Sequence, residues 1–321
     1  MILEHNSPCC TPRFSDALRL RSSAPAAVTG GRHTIEQCVI PAGVFWMGDA
    51  QADGKPGDGE RPVHQVEQPA FSIDATSVTN ADFARFVDAT GYITEAESFG
   101  FSAVFHLVVA AAEEDIVGRS PITPWWLGVR GAEWRHPEGP VSEIVGRENH
   151  PVVHVTWNDV QAYCRWAGRR LPTEAEWERA SRGGLEGARF PWGDELMPAD
   201  GRWRTNIWQG TFPTVNTQED GWLTTAPVRT YAPNGFGLWQ TVGNVWEWCE
   251  DVFNPRAYAK RVARSRPVLD PCEVSPDGPR VLRGGSYLCH DSYCNRYRNA
   301  ARSSNTADSS MGNAGFRTVS R

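Results

Sequence analysis

The first helical pattern follows the sequence VTNADFARFVDATGY, in which two phenylalanines recur at helical spacing. Phe83 and Phe86 are three residues apart, so in a helix both side chains project from the same side. Thr79 and Asp82 have the spacing of a capping box, in which each side chain satisfies a backbone N–H at the start of a helix. The pattern predicts a helix that begins after Thr79 and ends before Gly91.

Two more helices are predicted close together in the middle of the chain. WNDVQAYCRWAGRR has apolar residues at positions i, i+3, i+4 and i+7, with Asn158 as the expected cap and Gly168 as the expected end. LPTEAEWERASRGG has a second capping box, formed by Thr173 and Glu176, and its helix is expected to end at Gly183.

Elsewhere the apolar runs are short and are interrupted by turn residues. In CVIPAGVFWMGD a short strand is broken by Pro41 and Gly43. Beyond residue 185, pieces such as APVRTY and RVLRGGSY alternate with Gly, Pro and Asn, and no further helix is expected. The sequence predicts an α+β fold with few short helices and many short strands. Residues 1–33 show little periodicity and are expected to form a flexible tail, followed by one domain over 34–321.

Composition supports an ordinary globular protein that depends on loops. The 321 residues are 40% hydrophobic and 22% charged, and they include 30 Gly, 23 Pro and 14 Trp. So much Gly and Pro argues against a helical bundle, and the large aromatics are expected to supply the packing that regular elements do not. The formal net charge is −6 without a long basic run, which gives no support to nucleic-acid binding.

The absence of recognisable targeting signals predicts a protein of the cytoplasm. No apolar stretch approaches the roughly 18–20 residues that span a bilayer, so no membrane association is expected. The N-terminus has no basic segment followed by an apolar one, as a secretory signal peptide would have. In a reducing cytoplasm structural disulfides are disfavoured.

Cys289 and Cys294 are the only cysteines whose spacing looks arranged. The pair could form a disulfide, half of a zinc site, a two-coordinate site for a soft metal, or nothing at all. Structural zinc requires four ligands, and the adjacent His290 is badly placed to join Cys289 on one ion. Two thiolates without further partners suit Cu(I) best among biological metals.

The sequence NHPVVHV offers a rival metal motif, His150-x3-His154. The valines and Pro151 favour a strand rather than a helix. In a strand, four residues at about 3.3 Å each separate the two imidazoles by about 13 Å, too far to chelate one ion.

Several motifs resemble the formylglycine-generating enzymes, also called sulfatase-modifying factors. They are LPTEAEWE, NIWQG, GNVWEW, GGSYLCHDSYCNRYR, AARSSNT and GFR, in that family's order and with similar spacing from about residue 38 to the C-terminus. The resemblance implies a secondary-structure-poor fold related to C-type lectins. It also implies a copper-dependent oxidase that uses O2 to convert the cysteine of a C-x-P-x-R segment in an unfolded sulfatase polypeptide to formylglycine.

The same resemblance assigns residues to the active site. Cys289 and Cys294 match the pair that holds Cu(I), and Ser286 and Tyr293 match hydroxyls that orient oxygen or water beside it. Trp246 matches an aromatic wall of that pocket. Three further residues match positions that line the peptide cleft, where they would bind the substrate arginine: His290, Asp291 and Asn313.

Two structural calcium sites are implied as well. Side-chain oxygens mixed with backbone carbonyls suit this hard cation. The first set is Asn206, Ile207, Asp220 and Trp222, and the second is Gln240, Gly243, Val245 and Glu247. Gln240 stands where the family has asparagine, so its amide oxygen is displaced by more than about 1 Å.

The resemblance also has departures and rivals. Secretory members bridge positions that here carry Cys164 with Thr318, and Ser181 with Asn299, so neither bridge can form, which again fits a reducing cytoplasm. An open cleft for unfolded chains requires no more than a monomer. The main alternative is a non-catalytic peptide- or ligand-binding module on the same fold, and a weaker one is a dithiol redox protein that switches between thiols and a disulfide.

Overall fold

The structure, a computed structural model, describes residues 12, 30–263, 267–269, 271–273, 275 and 277–320. The helices of these residues are α1 Asn80–Thr90, α2 Glu95–Phe99, α3 Trp157–Ala167, α4 Glu174–Arg182 and α5 Ala257–Val262. The strands are β1 Gln37–Ile40, β2 Gly43–Met47, β3 His64–Gln68, β4 Phe71–Asp74, β5 Phe101–Phe105, β6 Ile116–Arg119, β7 Trp126–Arg130, β8 Arg169–Arg170, β9 Gly210–Thr211, β10 Val215–Asn216, β11 Trp246–Val252, β12 Val268–Leu269, β13 Arg280–Arg283, β14 Arg302–Asn305, β15 Ala314–Gly315 and β16 Val319–Ser320.

The three helices predicted from the sequence are confirmed as α1, α3 and α4. Both predicted capping boxes form, and each helix ends at a glycine in the left-handed conformation. The expected cap of α3 is wrong. Thr156 caps this helix with Asp159, and Asn158 instead donates to the Glu95 carboxylate at 3.0 Å. The helix therefore begins one residue before Asn158.

Two short helices were missed. α2 has its own capping box, formed by Thr94 and Glu97, and α5 lies beyond residue 185, where no helix was expected. α2 has five residues and α5 has six, which is too short for apolar periodicity to be visible in the sequence. Packing against the rest of the domain determines such short helices.

Small sheets and loops make up most of the remaining domain, which confirms the α+β prediction. The predicted strand after residue 37 is in fact two strands, because β1 pairs with β4 and β2 pairs with β3 in a different sheet. The sheet that carries the candidate site has the order β14-β13-β11-β15. In it, Glu247 of β11 lies opposite Arg283 of β13, and Trp246 lies opposite Ala314 of β15.

Aromatic side chains form the main core, as the composition suggested. Trp126, Trp134, Trp208, Trp246 and Trp248 are almost fully buried in one cluster, which also contains the two arranged cysteines. Each such side chain buries about 150–250 Å², so a few of them can replace the packing that longer elements would provide.

Buried ion pairs tie the loops to α4. Arg283 is fully buried and donates to Glu174 Oε1 at 2.9 Å and Glu178 Oε2 at 2.6 Å. Burial alone would raise the pKa of Glu174, but Arg302 and Arg283 outweigh it and lower that pKa to about 2. The carboxylate is thus held in its charged form inside the protein.

The NHPVVHV stretch is not a strand, and its two histidines have separate structural partners. His150 Nδ1 lies 3.0 Å from Thr225 Oγ1, whereas His154 lies 2.7 Å from Ser102 Oγ and 2.8 Å from the Pro137 carbonyl. Burial lowers the pKa of each imidazole to about 4. Both are neutral hydrogen-bonding groups of the interior near neutral pH.

Packing begins before the predicted domain boundary. Gly31 N donates to the Trp166 carbonyl at 2.9 Å, and the buried His33 contacts Asp74 at 2.7 Å. Pro12 is also buried, and its carbonyl accepts from Asn305 at 3.1 Å. Residues 1–11 and 13–29 of the predicted tail lie outside the described residues. Among the helices described here, none combines the length and the apolar character needed to cross a membrane.

Candidate active site

Two glycines aim the cysteine-bearing loop away from the sheet. β13 ends at Arg283, and Gly284 and Gly285 follow with φ of 92° and 72°, in the region that favours glycine. A Cβ on Gly285 would lie 2.7 Å from the Arg296 carbonyl, which is too close for any other residue. The chain therefore turns sharply just before Ser286.

A tight turn around His290 lies between Cys289 and Cys294. The His290 carbonyl accepts from the backbone N–H groups of Tyr293, Cys294 and Asn295 at 3.1, 2.9 and 3.1 Å. Both cysteines are almost fully buried in the same core cluster. No disulfide bridges any of the six described cysteines.

The charges of both cysteines affect the pKa of the Tyr297 phenol. Burial first, and then the negative charges of Asp291, Cys289 and Cys294, raise the pKa of Tyr297. Both thiols therefore lie within electrostatic reach of the Tyr297 hydroxyl. In the described part of the chain, no group of three or more His, Cys, Asp and Glu side chains could hold a metal ion. The pair fits a soft metal that accepts two thiolates, and it does not fit structural zinc.

Ser286 is fixed beside the pair by hydrogen bonds. Its backbone N–H lies 3.4 Å from Cys289 Sγ, which favours the charged thiolate, and its hydroxyl accepts from Asn313 Nδ2 at 3.0 Å. Asn313, which was predicted to line the substrate cleft, is fully buried and holds Ser286 instead. Its carbonyl accepts from the backbone N–H of Trp246 at 2.8 Å. Trp246 is itself fully buried in the same core cluster as the two cysteines.

Aromatic rings surround Tyr293 at the mouth of the site. Its half-buried ring stacks on Phe212, with centroids 4.3 Å apart, and Trp125 meets its edge at 4.9 Å. Sequence reasoning found Tyr293 but missed Phe212 and Trp125, because no local pattern connects residues that lie so far apart along the chain.

His290 and Asp291 lie on the outer side of the turn. The His290 ring contacts Asp291 at 3.1 Å and Ser292 Oγ at 2.8 Å, and the Asp291 side chain is 74% exposed. An exposed carboxylate next to the buried thiols could accept a guanidinium from a bound peptide.

One side-chain oxygen of the first predicted calcium set is available to a cation. Asn206 Oδ1 is buried and accepts no hydrogen bond from the described residues. The amide nitrogen of Gln209 lies between the Ile207 carbonyl and Asp220 Oδ2, where it acts as a donor to both oxygens. Trp222 N donates to the other Asp220 oxygen at 3.0 Å. Burial raises the pKa of Asp220, and a bound cation would oppose that shift.

In the second predicted calcium set, Glu247 is satisfied by protein donors, whereas Gln240 keeps a buried oxygen that accepts no hydrogen bond from the described residues. Glu247 is fully buried and accepts four hydrogen bonds, two from Arg317, one from Trp177 and one from Ser77. These donors fill the four lone-pair sites of the carboxylate, and Arg317 already balances its charge. Gln240 donates its amide nitrogen to the Pro227 carbonyl at 2.6 Å and leaves Oε1 without a hydrogen bond from the described residues. Calcium at this set would have an oxygen of Gln240 available but would have to displace donors from Glu247.

Where secretory members are expected to have disulfides, polar contacts stand instead. Ser181 donates to Asn299 Oδ1 at 2.8 Å, so these two positions are indeed adjacent. Cys164 is a buried thiol on α3, and Thr318 donates to Asp74 at 2.7 Å. At these two positions, a hydrogen bond between Ser181 and Asn299 stands where a disulfide is expected in secretory members.

Known proteins are similar to almost the whole chain. Residues 24–321 match the family described as "Sulfatase-modifying factor enzyme 1-like domain". A "Formylglycine-generating enzyme" of Streptomyces coelicolor is 62% identical over 296 residues, which cover 92% of each chain. A Bos taurus protein named "Inactive C-alpha-formylglycine-generating enzyme 2" is 42% identical over 295 residues and covers 91% of this chain and 90% of its own.

Solved structures support the fold alone. PvdO from Pseudomonas aeruginosa superposes with a TM-score of 0.65 at 21% identity, covering 93% of this chain and 99% of that one. The α+β architecture with few helices is thus shared over the full domain, while the low identity says nothing about chemistry.

Proposed function

The chain belongs to the sulfatase-modifying factor family of formylglycine-generating enzymes, and we propose that it oxidises a protein cysteine. The substrate is the cysteine of a C-x-P-x-R segment in an unfolded sulfatase polypeptide, and the product is Cα-formylglycine. The observation that carries the proposal is the buried pair Cys289 and Cys294, which is held in one turn beside a fixed serine hydroxyl.

We propose Cu(I) as the metal of this pair and O2 as the oxidant. Cys289 and Cys294 would hold the Cu(I), which would supply an electron-rich centre for thiol binding and for O2 reduction. The protein contributes the two sulfurs, an N–H group that favours the Cys289 thiolate, and a buried hydroxyl on Ser286 held by Asn313. The aromatic rings around Tyr293 exclude water from one side.

The reaction balances with one further reactant. The substrate cysteine loses one hydrogen from Cβ and one from sulfur, and the resulting thioaldehyde reacts with water to give the aldehyde and hydrogen sulfide. These two hydrogens provide two of the four electrons that reduce O2 to water. The other two come from two molecules of a thiol reductant, which leave as a disulfide.

Recognition of the substrate is assigned to the outer side of the turn. Asp291 is exposed and His290 is half-buried beside it, so the carboxylate can bind the substrate arginine while the substrate cysteine would reach the metal held by the buried thiols. We propose that the protein acts as a monomer in the cytoplasm. The polar residues Ser181, Asn299 and Thr318 at the positions of the secretory disulfides support this compartment.

Mass spectrometry of a C-x-P-x-R peptide tests the function. The protein is loaded with Cu(I) and incubated with the peptide, O2 and a thiol reductant, and we expect sulfur to be replaced by oxygen at the cysteine. A matched peptide with Ser in place of Cys is the control. Peptide that binds but stays unchanged would support the non-catalytic alternative, which the name of the Bos taurus relative makes a real competitor. Loss of thiol titre without aldehyde would support the dithiol redox alternative.

We also propose one structural calcium ion, bound by the first set. After chelator treatment, adding Ca2+ at about 100 times its Kd should stabilise the protein by about 2.7 kcal/mol, measured as a rise in Tm. Asp220→Asn should lose this rise because it removes a charged ligand. Gln240→Ala is the matched control and should keep the rise that the first set produces, since Gln240 belongs to the other set. A rise that survives Asp220→Asn, or disappears with Gln240→Ala, contradicts the assignment.

A further inference from the structure

A short acidic segment packs against the cysteine-bearing loop from a distant part of the chain. We call residues 53–60 the acidic turn and residues 289–298 the cysteine loop. Arg296 pairs with Asp58 through two contacts of 2.6 and 2.7 Å, and Arg298 pairs with Glu60 through two contacts of 2.8 and 2.9 Å. Each guanidinium is thus held in one plane by two parallel hydrogen bonds.

Two weaker contacts extend the same interface toward the thiols. Lys55 Nζ donates to the Tyr293 carbonyl at 2.8 Å, one residue before Cys294. Asn295 Nδ2 donates to the Asp53 carbonyl at 3.3 Å, one residue after Cys294. The acidic turn therefore contacts the chain on both sides of the second cysteine.

The acidic turn is fixed independently of the cysteine loop. Asp49 accepts from the backbone N–H groups of Gln51, Ala52 and Gly54, each at 3.0 Å. A Cβ on Gly59 would lie 2.3 Å from the Pro255 carbonyl, so the backbone is closely packed there as well. The cysteine loop, by contrast, has no strand pairing after Arg283 and before Arg302. A rigid segment therefore supports a loop that lacks regular structure.

Both ion pairs are buried. The side chains of Arg298 and Glu60 are 2% exposed, and those of Arg296 and Asp58 are 6% and 12% exposed. Removing one partner would leave a charge in the interior without compensation. Arg298 also contacts Asp53 at 3.2 Å. The two arginines therefore balance the negative charge of the acidic turn without a metal ion.

We infer that Asp58 and Glu60 are positioning residues, which hold the cysteine loop so that Cys289 and Cys294 present both sulfurs to one Cu(I). The inference rests on the proposed function and names a further part of the same site. Groups behind metal ligands orient them, and their loss typically costs about 10- to 100-fold in metal affinity.

Asp58→Asn tests the inference, because it removes the charge and keeps the size. Cu(I) affinity is measured by competition with a chromophoric Cu(I) chelator, and the alkylation rate of the two thiols is measured without metal. We expect Cu(I) affinity to fall at least about tenfold and alkylation to become faster, while the peptide KM changes less than about twofold. The double variant Asp58→Asn/Arg296→Gln should lose no more than Asp58→Asn alone, since the two groups act as one unit.

Glu176→Gln is the matched control. Glu176 of α4 is a buried carboxylate that pairs with the partly exposed Arg170 through two contacts of 2.7 Å, and neither residue belongs to the cysteine loop. Glu176→Gln should lower the free energy of unfolding but leave Cu(I) affinity and thiol reactivity unchanged. An equal loss of Cu(I) affinity in Glu176→Gln would mean that destabilisation alone explains the effect, and the inference would be overturned.

Lys55→Met decides the question if Asp58→Asn does not fold. Lys55 is exposed, so this change should leave Tm unchanged and lower Cu(I) affinity by about 2- to 5-fold, the scale of one exposed charge-assisted hydrogen bond. Wild-type affinity in every variant that folds overturns the inference and leaves the proposed function standing. Wild-type protein that binds no Cu(I) and converts no peptide means instead that the proposed function has failed.

Discussion

Replacing Cys289 or Cys294 by serine will abolish conversion of the C-x-P-x-R peptide while the protein remains folded. A serine hydroxyl is nearly the size of a thiol, but it is a poor ligand for Cu(I) at neutral pH. Because the two sulfurs act together, each single change should cost as much as the double change, at least about 10³-fold in kcat/KM. The product is measured by mass spectrometry, and Cu(I) binding is measured separately by chelator competition.

Cys164→Ser is the matched control for both variants. Cys164 is as buried as Cys289 and Cys294, yet it lies on α3, outside the turn that carries those two cysteines. A hydroxyl in this apolar position should lower the free energy of unfolding by about 1–3 kcal/mol and leave conversion intact. Full activity in both Cys289→Ser and Cys294→Ser would show that the copper assignment is wrong.

The largest loss of stability is expected for Arg317→Met. Arg317 and Glu247 are both fully buried, and the guanidinium meets both carboxylate oxygens at 2.7 and 2.8 Å. Methionine leaves the Glu247 charge in the core with only Trp177 and Ser77 as partners. We expect a loss of about 3–5 kcal/mol in the free energy of unfolding, measured by urea denaturation.

Two variants separate buried charge from lost packing. In Arg317→Met/Glu247→Gln the unpaired charge is absent, so a large part of the stability should return. Arg229→Met removes an exposed arginine that pairs with Glu36, where the two side chains are 50% and 65% exposed, and it should cost less than about 1 kcal/mol. If Arg317→Met were as mild as Arg229→Met, the Arg317–Glu247 pair would not hold the core together.

The calcium sets show how far a motif can predict a site. Both calcium sets were assigned from single residues at positions that match the family. The hydrogen-bond partners of those residues are what the sequence did not show. Asn206 in the first set and Gln240 in the second each keep an oxygen that accepts no hydrogen bond from the described residues, whereas Glu247 is saturated by residues far away in sequence. No pattern near Glu247 could have revealed this, since its main partner, Arg317, lies 70 residues away.

The sequence by itself determined the features whose partners are close along the chain. Capping boxes, glycine helix ends and the turn between Cys289 and Cys294 involve groups within about five residues, so local hydrogen bonds settle them. The abundance of Gly, Pro and Trp likewise fixed the loop-rich, aromatic character of the fold.

Only the tertiary structure decided which charges and rings meet. Arg296 pairs with Asp58 across 238 residues, Tyr293 stacks on Phe212, and Asn313 turns inward to hold Ser286. A buried charge must find a partner because water is excluded, but any of many carboxylates could serve. The carboxylate that a buried arginine meets depends on how the whole chain is folded. The residues near the arginine in the sequence do not identify that carboxylate.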